Sequence, residues 1–423
     1  MAAAAANPTS QQYSGNNVKI IHAREVALAA LKPSPKDLEH GLELHANSVV
    51  FDAYGFAPTA APDGNAVRTA IEAGASDIEL QDMQEEMSMT RFVTDPSERK
   101  EYEEAWRASG VTCVYQNSGQ EGMDPMRLIK RLARFTYVTD MMPEFVKKVV
   151  NPDEVVLAKK QDMRCLCFTG NGIPIAQQWV SVEDELRYIR VFYQLGIRMM
   201  HLTYNRRNLI GDGCGEATDA GLSDFGRAAV KEMNRVGVLP DCAHSGWQTG
   251  LDAAKASSRP VVASHSAADA VFHHYRSKPD RPLRALADSG GYCGVCCIPR
   301  FLGHSSDVVS LLNHVDYIAK KFGAAAVAIG TDSGYRSRAA AAEAKKIPAT
   351  GPKRTAWEML WPPDPTPFKT EPSMTESMLW TNWPLFTVGL VQRGYSDQDI
   401  QKIIGGNVLR VARTTRPDEG TTI

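Results

Sequence analysis

VLPDCAHS (238–245) and RPVVASHS (259–266) are two short apolar runs that each end in a histidine, His244 and His265. A third run, AAVAIGTD (325–332), ends in Asp332. Apolar β-branched runs are what strands buried on both faces require, and a polar residue at the carboxyl end of such a strand lies where the loops of a parallel barrel gather ligands. A single histidine there is satisfied by an ordinary core hydrogen bond. Two at equivalent ends of consecutive strands, with an aspartate at a third, point to one shared site.

Outward from these runs the same period repeats. VVFDAY (49–54), GVTCVYQN (110–117), CLCFTGN (165–171), IRMMHLTYN (197–205) and GGYCGVCCI (290–298) bring the number of strand-like runs to eight. Stretches of helical spacing separate most of them, including VEDELRYIRVFYQLG (182–196) and LSDFGRAAVKEMNRVG (222–237), the latter with Ser223 as N-cap. Eight strands alternating with helices predict an α/β fold, a (β/α)8 TIM-type barrel. Two connections exceed what a barrel needs, one after the first strand and one after the eighth, and long loops on that face form lids. The expected organisation is a disordered leader over 1–17, one barrel over 18–413 with lid segments at about 56–109 and 336–380, and a flexible tail over 414–423.

Bulk properties exclude several classes of function. The 423 residues carry 47 Lys and Arg against 49 Asp and Glu, a formal charge of -2, so no basic field invites nucleic acid or an anionic membrane. No apolar stretch is long enough to span a bilayer and the start has no signal-peptide pattern, which places the protein in the cytoplasm. Seven of the eight cysteines fall in strand-like runs and read as small hydrophobes, whereas Cys214 sits in a Gly-rich loop where exposure is expected. TGNGIP (169–174) and GDGCGE (211–216) lack the spacing of phosphate loops and read as turns.

Longer stretches carry a family resemblance. GLSDFGRAAVKEMNRVGVLPDCAHS (221–245), SSRPVVASHSAADA (257–270), LRALADSGGYCGV (283–295), VDYIAKKFGAAAVAIGTD (315–332) and NWPLFTVGLVQRGYSDQDIQKIIGGNVLRVAR (382–413) together resemble the membrane dipeptidase (renal dipeptidase-like, peptidase family M19) branch of the amidohydrolase superfamily. The agreement runs from about His45 to Arg413. It implies a zinc-dependent barrel that cleaves small carboxylate-bearing peptides, and a homodimer. Under it, His244 and His265 are metal ligands, Asp332 handles the proton of the attacking water, and Arg276 holds the substrate carboxylate.

The other half of the family's metal set is replaced. Its His-x-Asp pair falls on Tyr54 and Phe56, its bridging glutamate on Thr169, and its strand-four histidine on Tyr204. Phenylalanine cannot ligate, and neutral tyrosine or threonine substitutes poorly for imidazole or carboxylate on zinc. Three readings therefore stand. The first is a dipeptidase-family hydrolase with at most one zinc on His244 and His265, with Asp332 as a possible third ligand, or with Asp241 or Tyr54 nearby. The second is a metal-independent acid/base enzyme, an epimerase, lyase or cyclase, in which His244, His265 and Asp332 work with the phenols of Tyr54 and Tyr204; Asp332 and Tyr204 are the catalytic candidates, and Arg276 and Tyr54 the substrate-binding ones. The third is a non-catalytic barrel. His201, His273 and His274 read as structural or surface residues without a role.

Overall fold

The protein is described by a computed structural model that covers residues 15–119, 124–349, 359–364, 367–417 and 420. Its strands are β1 (Phe51–Gly55), β2 (Cys113–Asn117), β3 (Val146–Lys148), β4 (Arg164–Gly170), β5 (Ile197–His201), β6 (Leu239–Asp241), β7 (Ala263–Ser266), β8 (Cys293–Val295) and β9 (Val327–Ile329). All the runs expected as strands form strands or lead directly into them. β3 is the addition: VKK is three residues with one apolar member, too short for a periodic signal.

Every strand pairs in parallel. One sheet runs β1-β2-β4-β5-β6 with β3 also on β4, and a second runs β7-β8-β9. Because β2 occupies one side of β4, β3 and β5 share the other, β3 along Arg164–Leu166 and β5 along Phe168–Gly170. A parallel bridge between Asp241 and Val262 joins the sheets, with the Cys242 amide donating to the Val262 carbonyl at 2.8 Å. At the opposite seam the Asp332 amide donates to the Tyr54 carbonyl at 2.9 Å and the Phe56 amide to the Ser333 carbonyl at 3.0 Å. The sheet thus curls back on itself, as the α/β barrel reading requires. Helices Val182–Gln194 and Asp224–Val236 follow their strands as expected, and the Ser223 side chain caps the second by accepting from the Gly226 amide at 2.9 Å.

The long connections pack as helices and meet each other. Between β1 and β2 lie helices Gly64–Glu72, Asp77–Thr94 and Pro96–Ser109. Tyr335, beyond β9, donates to Glu101 at 2.6 Å, Ser337 donates to Glu98 at 3.2 Å, and the Gly64 amide donates to Glu343 at 2.9 Å. Asn17 is buried, caps helix Val18–Leu31 and donates to the Tyr335 hydroxyl at 2.9 Å, so ordered contacts begin within the stretch read as a leader. Residues 1–14 of that leader, residues 350–358, 365 and 366 of the second lid segment, and 418, 419 and 421–423 of the tail lie outside the described residues.

Asp52 anchors the seam. Its fully buried carboxylate accepts from the Thr331 hydroxyl (2.6 Å), the Thr331 amide (2.9 Å), the Trp380 indole (3.0 Å) and the Tyr54 amide (3.3 Å). Burial outweighs these bonds and pushes its pKa up to about 7. A carboxyl with a raised folded pKa holds its proton more tightly when folded, so its contribution to stability is lost as pH rises from near 4 to near 7. A shift of this size corresponds to up to about 4 kcal/mol. Urea unfolding at pH 5 and pH 8 should show that the wild type loses stability relative to Asp52→Asn over this interval; parallel curves would remove Asp52 as the source.

Candidate functional site

Three strand ends bring three imidazoles together. His201 is the last residue of β5, His265 lies in β7, and His244 stands three residues past β6. Their ring centroids are 4.9 Å (His244–His265), 5.2 Å (His201–His244) and 5.2 Å (His201–His265) apart. All three are buried. His201 is paired in strand register with Asp241, the last residue of β6, and its Nε2 lies 2.8 Å from Asp241 Oδ2. The contact lacks hydrogen-bond alignment, and both ring nitrogens of His201 are buried without a hydrogen-bond partner.

Surrounding groups fix the other two rings. Asp241 Oδ1 accepts from the Ala243 amide (2.9 Å) and the Ser264 amide (3.0 Å), and Oδ2 accepts from the Ser264 hydroxyl. With its proton committed to Asp241, the Ser264 oxygen is left to accept from His265 Nδ1 at 2.8 Å. Asn205 Oδ1 accepts from His244 Nδ1 at 2.7 Å. Both imidazoles are thereby assigned as Nδ1–H tautomers. Burial first, and the Arg276 guanidinium second, hold both well below the ordinary histidine pKa, so they are neutral. Their Nε2 atoms, each with a lone pair, face one another at 2.9 Å.

Aromatic rings cover this cluster. Tyr54 stacks on His265 with centroids 3.9 Å apart, and its hydroxyl donates to Asn171 Oδ1 at 2.6 Å. Tyr204 stacks on His244 at 4.1 Å, with Trp361 edge-on to both rings. Trp380 and Trp383 are buried elsewhere, and Trp357 lies outside the described residues.

The remaining site candidates occupy different surroundings. Arg276 is fully buried; it donates to the carbonyls of Ala243 and of His265 (3.1 Å), and its Nη2 lies 3.4 Å from His244 Nε2. To capture a substrate carboxylate it would have to leave those carbonyls. Asp332 is half-buried, has a left-handed backbone (φ 52°), and lines a cavity of 1120 Å³ together with Phe56, Asn117, Arg127, Arg131 and Leu360. The histidines do not line this cavity. Tyr54 and Trp361 link it to them: Phe56 packs edge-on to Tyr54 at 6.1 Å, the Asp332 amide donates to the Tyr54 carbonyl, and Leu360 precedes Trp361 in the chain. Cys214, expected to be exposed, is half-buried, its thiol 3.2 Å from the Asn205 oxygen that also serves His244.

Residues 39–347 match the family described as membrane dipeptidase (peptidase family M19). The chain belongs to that family. Dipeptidase tcpJ of Claviceps purpurea is 27% identical over 231 residues, which are 53% of this chain and 46% of that protein. The chain therefore aligns with about half the length of that curated relative. Among solved structures, an amidohydrolase from Pseudomonas aeruginosa is 24% identical with a TM-score of 0.65, covering 89% of this chain and 98% of that one. The probable dipeptidase PvdM from Pseudomonas aeruginosa is 18% identical with a TM-score of 0.62, covering 90% and 99%. Both likenesses support the barrel fold.

Within the dipeptidase family, this member departs at the positions that the resemblance assigns to the His-x-Asp pair and the bridging glutamate. Tyr54 is spent on Asn171, Phe56 on the cavity wall, and the Thr169 hydroxyl on the Gln116 carbonyl at 3.4 Å. The residue missed in the sequence is His201. Its run IRMMHL stays apolar to Leu202, while the family motif directs attention to Tyr204. Two strand-end polar residues in neighbouring runs, His201 and Asp241, were the available signal.

Proposed function

We propose that the chain is a hydrolase of small carboxylate-bearing peptides or amides, working with at most one zinc ion on His244 and His265. The observation that carries this reading is the pair of neutral imidazoles with opposed Nε2 lone pairs. Metal-ligating histidines characteristically give Nδ1–H to an outer acceptor and keep Nε2 for the ion, which is the pattern set by Asn205 and Ser264. When bound, zinc supplies Lewis-acid polarisation of the scissile carbonyl.

The chain's own groups supply the rest. Asp332 accepts a proton from the attacking water and returns it to the departing amine nitrogen, so that the C–O bond forms as the C–N bond breaks. Arg276 holds the strand ends that carry His244 and His265. Arg127 and Arg131, on the wall that also bears Asp332, place positive charge toward a substrate carboxylate, although both also pair with Glu85. The segments carrying Phe56 and Leu360 restrict water at the mouth.

A panel of dipeptides and their carboxy-terminal amides tests this. Cleavage of free-acid dipeptides with at least tenfold preference over the amides is expected, and no cleavage of any member would overturn the proposal. Tyr204→Phe separates it from acid/base chemistry without metal. With zinc on the histidines, the Tyr204 ring packs on His244 and its hydroxyl transfers no proton, so kcat should fall less than about tenfold. A loss of about 10²-fold or more would assign the phenol a proton-transfer role and favour the metal-free alternative.

A further inference from the structure

We infer that the chain holds a single first-row divalent cation among His201, His244, His265 and Asp241, a donor set in which His201 and Asp241 replace ligands lost elsewhere. This rests on the zinc reading above for the occupant's class, and departs from it in where the ion sits and what completes its shell.

Ring geometry is the first support. A metal–nitrogen bond of about 2.1 Å puts each imidazole centroid roughly 3.2 Å from the ion, and ligand angles of about 90–109° then separate centroids by roughly 4.5–5.2 Å. The three observed separations, 4.9, 5.2 and 5.2 Å, all fall in that interval. One ligand atom each from His201, Asp241 and His265 lies within 4.8 Å of the others, and His244, outside that group of three, joins it through His265. The Nε2 atoms of His244 and His265, 2.9 Å apart, need open only a few tenths of an ångström to reach the roughly 3.3 Å span of two tetrahedral ligands.

Unsatisfied polarity is the second, independent support. His201 is completely buried, its Nδ1 has no partner, and its Nε2 meets Asp241 Oδ2 at 2.8 Å without hydrogen-bond alignment. An unmade bond of this kind costs about 1–3 kcal/mol, so such groups mark a missing ligand or a functional strain. The opposed lone pairs of His244 and His265 at 2.9 Å add a second strained contact, relieved at His244 alone by Arg276 Nη2 at 3.4 Å. One cation among the rings answers both.

Charge limits the occupancy to one ion. Asp241 is the single carboxylate of the set, while Arg276 Nη2 lies 3.4 Å from His244 Nε2 and the buried Lys278 ammonium donates to the Ser245 carbonyl at 2.7 Å. A second dication would meet these two cations, and the further carboxylate within range, Asp332, already acts on Arg276. Three imidazoles and one carboxylate select zinc or a neighbouring transition metal over magnesium or calcium.

The test is zinc titration of the full chain after removal of metal by a chelator, in competition with a chromophoric chelator and without substrate. The wild type should take up one zinc per chain. His201→Phe, which keeps the ring's volume, should bind at least tenfold more weakly with an unchanged circular dichroism spectrum, and His201→Gln repeats the measurement if the phenylalanine variant misfolds. His22→Phe, at an exposed histidine, should match the wild type. No saturable zinc in the wild type, or wild-type affinity in either His201 variant, would overturn the inference. No saturable zinc in a protein that cleaves peptides would overturn the inference while leaving hydrolysis standing; tight zinc, weakened in His201→Phe, without cleavage would do the reverse.

Discussion

Asp332→Asn is expected to lower kcat/KM for dipeptide cleavage by about 10²–10⁴-fold, the range a positioned proton acceptor supplies. The substitution is unusually clean. Asp332 has φ 52°, a left-handed conformation that asparagine adopts as readily as aspartate, and the backbone is pinned by its amide bond to the Tyr54 carbonyl. Shape, backbone and the barrel seam therefore survive, while the side chain loses its capacity to take up a proton. Melting temperature should stay close to that of the wild type while the activity is lost. Full activity in this variant would remove Asp332 from the chemistry and with it the hydrolytic scheme proposed above.

The barrel was legible because its signals are local. Buried parallel strands need apolar runs, and each such run is followed by a helix whose cap and amphipathic face lie within some fifteen residues, as with Ser223 and the helix it starts. β3 escaped because three residues carry no period. Within the site, His244 and His265 were legible because each ends a run. His201 escaped for a different reason: what makes it part of the site is its register against Asp241 and the absence of any hydrogen-bond partner, and both depend on chain segments about forty residues away. The burial of Arg276 is likewise non-local, since it is set by the carbonyls of Ala243 and His265. So is the joining of the two long insertions through Glu98 and Glu101, whose partners lie more than 230 residues along the chain.

Asp241 is the residue through which stability and site chemistry are joined, and its replacements should separate the two. Burial alone would raise its pKa, but His201 and the Ser264 bonds hold it below the usual carboxylate value, so it is an anion in the core. Asp241→Ala leaves the Ala243 amide, the Ser264 amide and the Ser264 hydroxyl without their acceptor, and should cost about 3–5 kcal/mol in urea unfolding, the range for breaking a buried charged partner. Asp241→Asn keeps an oxygen for the two amides and should cost about 1–3 kcal/mol. Its NH₂ group, however, faces the Ser264 oxygen as a donor. The Ser264 hydroxyl must then send its proton elsewhere, and His265 Nδ1 at 2.8 Å is the acceptor within reach. Accepting there forces the His265 proton onto Nε2, which points at the His244 lone pair 2.9 Å away and closes a direct imidazole–imidazole hydrogen bond. The expected result is a folded protein in which His265 has changed tautomer, seen as an exchange of its two ¹⁵N imidazole shifts, and in which the site has lost the Asp241 carboxylate and one imidazole lone pair. An Asp241→Asn protein that kept His265 in the Nδ1–H form would show that Ser264 does not transmit the charge of Asp241 to the ring, and the outer support proposed for the site would fail at that link.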